Sequence, residues 1–217
     1  MNLKRLTESL FSLIGIVVLA VGCSHAEEQR TVTSDSDRPH LEKRGNVTQL
    51  IVDSKPWLIL GCELGNSTSS SKEYMEQYWE KLQASGVNTV LAVVSWEQTE
   101  PEEGKFDFTV VDDLLEGARA HDMKLALLWF GSWKNGVTSY NPIWVKEDTE
   151  RFPLAQTPEG KNLPILSTLG EETCKADAKA FAAMMQHLKE YDSIDQTVVM
   201  VQMENEVGLH GYPRDYS

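Results

Sequence analysis

Apolar residues fall along this chain in two alternating rhythms. Largely apolar runs lie at Trp57–Leu60, Val87–Val94, Leu125–Phe130 and Val198–Met203. Each has the length expected of a short strand buried on both faces. Between them the spacing becomes helical. Met75, Tyr78, Trp79 and Leu82 follow the capping-box pair Ser70 and Glu73, and Gly86 closes that predicted helix. Val110, Val111, Leu114, Leu115 and Ala118 mark a second helix. A second capping-box pair, Thr168 and Glu171, opens a third with Cys174, Ala178, Phe181, Met185 and Leu188 as its apolar stripe. Upstream, Val47–Val52 alternates weakly and Asp53-Ser54-Lys55-Pro56 reads as a turn. The stretch from Gly131 to Ser167 has no clear period. Strands apolar throughout, alternating with amphipathic helices, predict an α/β fold with a parallel sheet covered by helices. A doubly wound nucleotide-binding fold would usually carry a Gly-rich phosphate turn, and neither G-x-G-x-x-G nor G-x-x-x-x-G-K-[ST] occurs here.

The first residues follow another pattern. Lys4 and Arg5 precede a charge-free apolar stretch from Leu10 to Gly22. That run is shorter than the roughly 20 residues a membrane-spanning helix needs, so it reads as a secretory signal. Leu19-Ala20-Val21-Gly22-Cys23 resembles a bacterial lipobox, which implies that Cys23 is lipidated and becomes the new N-terminus. An ordinary signal peptide or an uncleaved anchor are the other readings. The expectation is a lipoprotein signal peptide over 1–22 and a flexible, polar tether over 23–45. The protein would then be lipid-anchored in the bacterial cell envelope, facing the periplasm or on the outer membrane.

Composition narrows the partners. The chain has 217 residues, 41% hydrophobic and 24% charged, as in ordinary globular proteins. Its 33 acidic residues against 20 basic ones, net charge −13, make a nucleic-acid partner unexpected, since phosphate binding needs a basic face. Three cysteines are too few for a disulfide scaffold. Cys62 and Cys174 either pair or are two buried free thiols. His25, His40, His121, His187 and His210 show no metal-ligand spacing, so neither metal nor cofactor is expected.

Chemistry gathers where the predicted strands end. The first is followed by Glu63 and Asn66, the second by Trp96 and Glu97, the third by Trp133, Lys134 and Asn135, and the fourth by Glu204, Asn205 and Glu206. In (β/α)8 barrels the active site lies at the C-terminal ends of the strands. Aromatic faces beside carboxylates and amides suit a carbohydrate.

Val201-Gln202-Met203-Glu204-Asn205-Glu206-Val207-Gly208 resembles the acid/base motif of clan A glycoside hydrolases of the β-galactosidase type, families 35 and 42. Trp96-Glu97-Gln98-Thr99-Glu100-Pro101, continuing through Gly104 to Phe108, resembles the same families' W-x-x-x-E-P-x-x-G-x-F-D-F signature. Ile59–Ser67 and Leu128–Gly136 resemble the first and third strands of bacterial family 35 members, with their loops. The resemblance implies that Glu206 is the general acid/base and that Asn205 contacts the sugar. Glu63, Asn66, Trp96, Glu97 and Trp133 are further candidate sugar contacts, and an oligo- or polysaccharide is the implied substrate. Glu204, on the opposite side of the strand from its neighbour, is assigned a supporting role, and Glu100-Pro101 a structural one.

The resemblance also implies a partial fold: residues 46–217 would form about four βα units, the N-terminal part of a (β/α)8 TIM barrel that usually needs about 250 residues. The nucleophilic glutamate of these families, at the end of the seventh strand, is then absent from the chain. The expected function is retaining, exo-acting hydrolysis of terminal β-glycosides, truncated before the nucleophile. The alternatives are a non-catalytic glycan-binding lipoprotein or an inactive fragment. Exposed barrel edges would favour self-association.

Overall fold

The computed structural model describes residues 38–134, 140–209 and 211–217. The predicted signal peptide and most of the predicted tether, with Cys23, lie outside these residues, as do Asn135 and His210. The described chain opens with antiparallel pairing. Strand β1 (His40–Arg44) lies against β2 (Val47–Val52), with Leu41 opposite Leu50, and β2 turns into the short β3 (Lys55–Pro56). Asp53 and Ser54 both take positive φ, 49° and 61°, the signature of a two-residue hairpin turn. The polar composition through Gly45 suggests a tether, but its last residues form a strand, because β2 offers them a paired edge.

The remaining elements alternate as the periodicity requires: β4 (Gly61–Glu63), α1 (Lys72–Ala84), β5 (Thr89–Ser95), the short α2 (Trp96–Thr99), α3 (Thr109–Ala120) and β6 (Lys124–Lys134). The short α4 (Ile143–Glu147) and a hairpin of β7 (Leu154–Gln156) with β8 (Asn162–Leu166) occupy the aperiodic stretch. Helix α5 (Glu171–Tyr191) and β9 (Val198–Asn205) complete the series. The parallel sheet runs β4-β5-β6-β9.

Alternation along the strands divides the core. Val90, Ala92 and Val94 of β5 and Leu125, Leu127 and Trp129 of β6 join Trp79, Leu82, Leu114, Leu115 and Met184 from the helices in one large cluster. The intervening residues Val93, Leu128 and Phe130 form a small cluster with Leu91 and Tyr140 on the other face. A helix-covered outer face and a narrower inner one is how a (β/α)8 barrel divides its strands. Burying each large side chain of the outer layer stabilises the fold by about 1.5–3 kcal/mol. The sheet has an open side at β9, where Met200 and Met203 are exposed. A groove of about 550 Å³ runs there between α5 and β9, lined by Met185, Leu188, Val199, Met200 and Val201 among others.

Three local expectations shift. The run Trp57–Leu60 is not a strand. The Asn88 amide accepts from Leu60 N (2.9 Å) and donates to Leu58 O (2.9 Å), taking the place of a strand partner, and pairing begins only at Gly61. Helix α1 is capped by Ser71 instead of Ser70: its hydroxyl accepts from Tyr74 N at 3.3 Å. Helix α5 starts behind Gly170 with no side-chain cap, leaving Glu171 and Glu172 in its first turn, where the helix dipole favours negative charge. Gly86, at φ +76°, does end the α1 segment, as expected. Cys62 and Cys174 are both free, and Cys174 is exposed on α5 instead of buried. Among the described residues no helix is long and apolar enough to cross a membrane.

Candidate active site

Parallel register brings the strand ends to one rim. Glu63 lies opposite Leu91, Ser95 opposite Phe130, and Lys134 opposite Asn205. Cys62 packs on the outer core, so alternation turns the exposed Glu63 to the inner side. Lys134 sits almost buried at the end of β6, its ammonium 4.9 Å from the centre of the Phe130 ring and 3.2 Å from Glu206 Oε2. Glu206 itself is 59% exposed. Asn205 Oδ1 accepts from Gln202 Nε2 at 2.9 Å.

Behind the rim is a pair of acids. Asp177 of α5 accepts from the Trp129 indole N–H (2.8 Å), from Ser132 N (2.7 Å) and from the Ser132 hydroxyl. Glu204 of β9 accepts from Ser132 N (3.1 Å) and Trp133 N (2.7 Å), and hydrogen-bonds to Asp177. Burial, then the hydrogen bond to Asp177 and the charge of that carboxylate, raise the Glu204 carboxyl to about 9; the two backbone N–H groups only partly offset this. The fold therefore favours the protonated form of Glu204 beside Asp177. The two acids bind the last turn of β6 to α5 and β9. Gly131 is required there: a Cβ would stand 2.5 Å from Asp177 Oδ1 and closer still to Trp129 Nε1. Asn141 Nδ2 donates to Gly131 O at 2.7 Å and holds the same turn from the far side.

A parallel sheet with acids and amides at its C-terminal rim is the arrangement of barrel glycosidases, and comparison agrees. The exo-beta-1,4-mannosidase Op5Man5 from Opitutaceae bacterium strain TAV5 shares the fold, with a TM-score of 0.54 over 83% of this chain at 16% identity. The chain spans 29% of the length of that mannosidase chain. No curated protein matches it significantly. The family model described as beta-galactosidase, glycoside hydrolase family 42, matches residues 66–217. The chain belongs to glycoside hydrolase family 42.

For this family 42 chain, the architecture is a partial (β/α)8 barrel of clan A, and each sequence-derived site residue has a definite place in it. Glu63, Asn205 and Glu206 stand at strand ends on the rim. Asn66 is exposed in the turn that Thr68 N closes on Gly65 O. Glu97 pairs with Lys146 of α4 at 3.2 Å, and its backbone N–H donates to Tyr140 O. The two tryptophans are corrected. Trp96 is fully buried in the outer core, edge-on to Trp144, its indole N–H donating to Glu100 at 2.9 Å. Trp133 is 5% exposed and packs on Ala155 and Ile165 beneath the β7–β8 hairpin. Neither offers a face on which a sugar could stack. Glu100 is structural, as expected: it is buried and also accepts from Gly104 N.

Lys134 and Asp177 were not among the sequence-derived site residues. Lys134 stood in the strand-end group, and only its ion pair with Glu206 distinguishes it. Asp177 had a usable signal: it falls in the true buried stripe of α5, Thr173, Asp177, Ala180, Met184 and Leu188. An acid in an apolar stripe needs a buried partner.

Proposed function

We propose that this glycoside hydrolase removes terminal β-linked sugars, β-galactosides first among them, by a retaining mechanism with Glu206 as general acid/base. The observation that carries this is the placement of Asn205 and Glu206 directly at the end of β9 on the active-site rim, with Lys134 orienting the Glu206 carboxyl. Retaining glycosidases need two carboxyls about 5–5.5 Å apart. In the first step Glu206 protonates the glycosidic oxygen, the C1–O bond breaks, and the nucleophilic carboxylate bonds to C1. In the second, Glu206 takes a proton from water, which attacks C1 and releases that carboxylate. The family resemblance implies a nucleophile on a seventh barrel strand, so the activity is proposed for a barrel that holds both groups. Asn205 and Glu63 would bind sugar hydroxyls, with the carbohydrate as the ligand at the rim.

The glycan-binding alternative drew its support from strand-end tryptophans, and both are buried. The experiment is hydrolysis of β-galactosides by the full gene product. Glu206→Gln should lower kcat by about 10²–10⁴-fold, the usual contribution of general acid–base catalysis. Unchanged activity in that variant would overturn the assignment. The lipobox-like segment ending at Cys23 supports a lipid anchor and an envelope location. Cys23→Ala should then move the protein from the membrane fraction to the soluble one; a wild-type protein already in the soluble fraction would exclude the anchor. The open edge of β9 with Met200 and Met203 supports self-association through that strand.

A further inference from the structure

The backbone on which the acid/base sits is strained. Glu204 and Glu206 both take left-handed conformations, φ 59° and 49°, on either side of Asn205. A non-glycine residue held there is strained, and it persists only where its surroundings fix it. On a regular strand Gln202 and Glu204 would share a face. Here Gln202 Nε2 donates to Glu204 O (2.8 Å) and to Asn205 Oδ1, while the Glu204 side chain turns to the outer layer and meets Asp177. What fixes Glu204 is its carboxyl group: Ser132 N and Trp133 N donate to its oxygens, and it hydrogen-bonds to Asp177. Those two donors lie at the end of the strand that also carries Lys134, the partner of Glu206.

We propose that Glu204 is a positioning residue for the acid/base: hydrogen-bonded to Asp177 and to the end of β6, it holds the left-handed turn that aims Asn205 and Glu206 at the sugar and keeps Lys134 beside Glu206. The inference rests on the assignment of Glu206 above. The titratable groups around Glu204 are Asp177 and Cys174, both on α5, with the Lys134–Glu206 pair on the strand ends. Among the described residues, Asp177 is the titratable side chain that hydrogen-bonds to it. A glutamine at this position would keep the essential hydrogen bonds. Its amide N–H replaces the acid proton toward Asp177, and its oxygen accepts from Trp133 N. Only the longer hydrogen bond from Ser132 N would be given up, and that N–H already donates to Asp177.

The test is the steady-state kinetics of Glu204→Ala, Glu204→Gln and Glu206→Gln in the full gene product, with thermal melts to establish folding. Glu204→Ala should lower kcat about 10²-fold, the cost of a misplacement of about 1 Å, with KM within about threefold of wild type. Glu204→Gln should recover most of that loss. If Glu204→Ala does not fold, Glu204→Asp takes its place: one methylene short, it cannot hold Asp177 and Trp133 N together, and kcat should fall tenfold or more. The inference is overturned if the Ala or Asp variant keeps kcat within twofold of wild type, if the loss lies wholly in KM, or if Gln is no better than Ala. Should Glu206→Gln abolish activity while Glu204→Ala does not lower kcat, this inference fails alone. Should Glu206→Gln leave activity intact, the acid/base assignment fails and takes this inference with it.

Discussion

The raised carboxyl of Glu204 should be visible in stability as well as in rate. The Glu204 carboxyl is ordinary in the unfolded chain, near 4.5, and is raised to about 9 in the fold. Between those values the folded protein holds one proton that the unfolded chain does not. Stability therefore falls as pH rises across that window. The contribution is fully present below about 4.5 and is lost as pH passes through about 9. One proton corresponds to at most about 1.4 kcal/mol per pH unit. Partial exposure of Glu204 damps this, and about half the limiting slope is a fair expectation. Glu204→Gln removes the titration and keeps the essential hydrogen bonds. Urea unfolding of both proteins at pH 6, 7 and 8 should show wild type losing about 1.4 kcal/mol relative to the variant over that interval. Parallel curves, with the difference constant to about 0.3 kcal/mol, would refute a protonated Glu204.

Two further outcomes follow from the same packing. Gly131→Ala should destabilise by about 2–5 kcal/mol, since the new Cβ meets Asp177 and Trp129 and breaks their hydrogen bond; a melt within a degree of wild type would contradict this. Asp192 accepts from Arg119 Nη2 (2.6 Å), Thr197 N (2.9 Å) and Val198 N (2.8 Å), tying α5 to α3 and to the start of β9. Asp192→Ala should cost about 3 kcal/mol by stranding these donors, and a loss under about 0.5 kcal/mol in urea unfolding would be inconsistent with it.

The parallel βα order was legible because β5, β6 and the helix-side stripe of α3 carry uninterrupted apolar patterns set by burial itself. The first strand was misplaced because Leu58 and Leu60 are as apolar as strand residues, yet both are exposed, held by the Asn88 side chain instead of a ladder. Nothing local distinguishes such a run from a buried strand. On α5 the stripe read from Cys174, Ala178 and Met185 was nearly one residue out of phase, and all three are exposed. That error left Asp177 at the margin of the expected stripe and hid the acid pair. The strand-end placement of Asn205, Glu206 and Glu63 was legible because the apolar runs before them mark where the strands stop. Trp96 and Trp133 were misread because position in sequence does not reveal which layer a tryptophan faces; Trp96 turns outward at the start of α2 and Trp133 under the β7–β8 hairpin.

The central claim is that Glu206 protonates the leaving group, and leaving-group dependence tests it most directly. In the full gene product, kcat/KM of Glu206→Ala would be compared with wild type on a β-galactosyl disaccharide and on an aryl β-galactoside whose phenol leaves readily without a proton. Loss of about 10²–10⁴-fold on the disaccharide, with kcat/KM on the aryl substrate largely spared, is the expected result. An equal loss on both substrates, or none on either, would contradict the assignment of Glu206 as the acid.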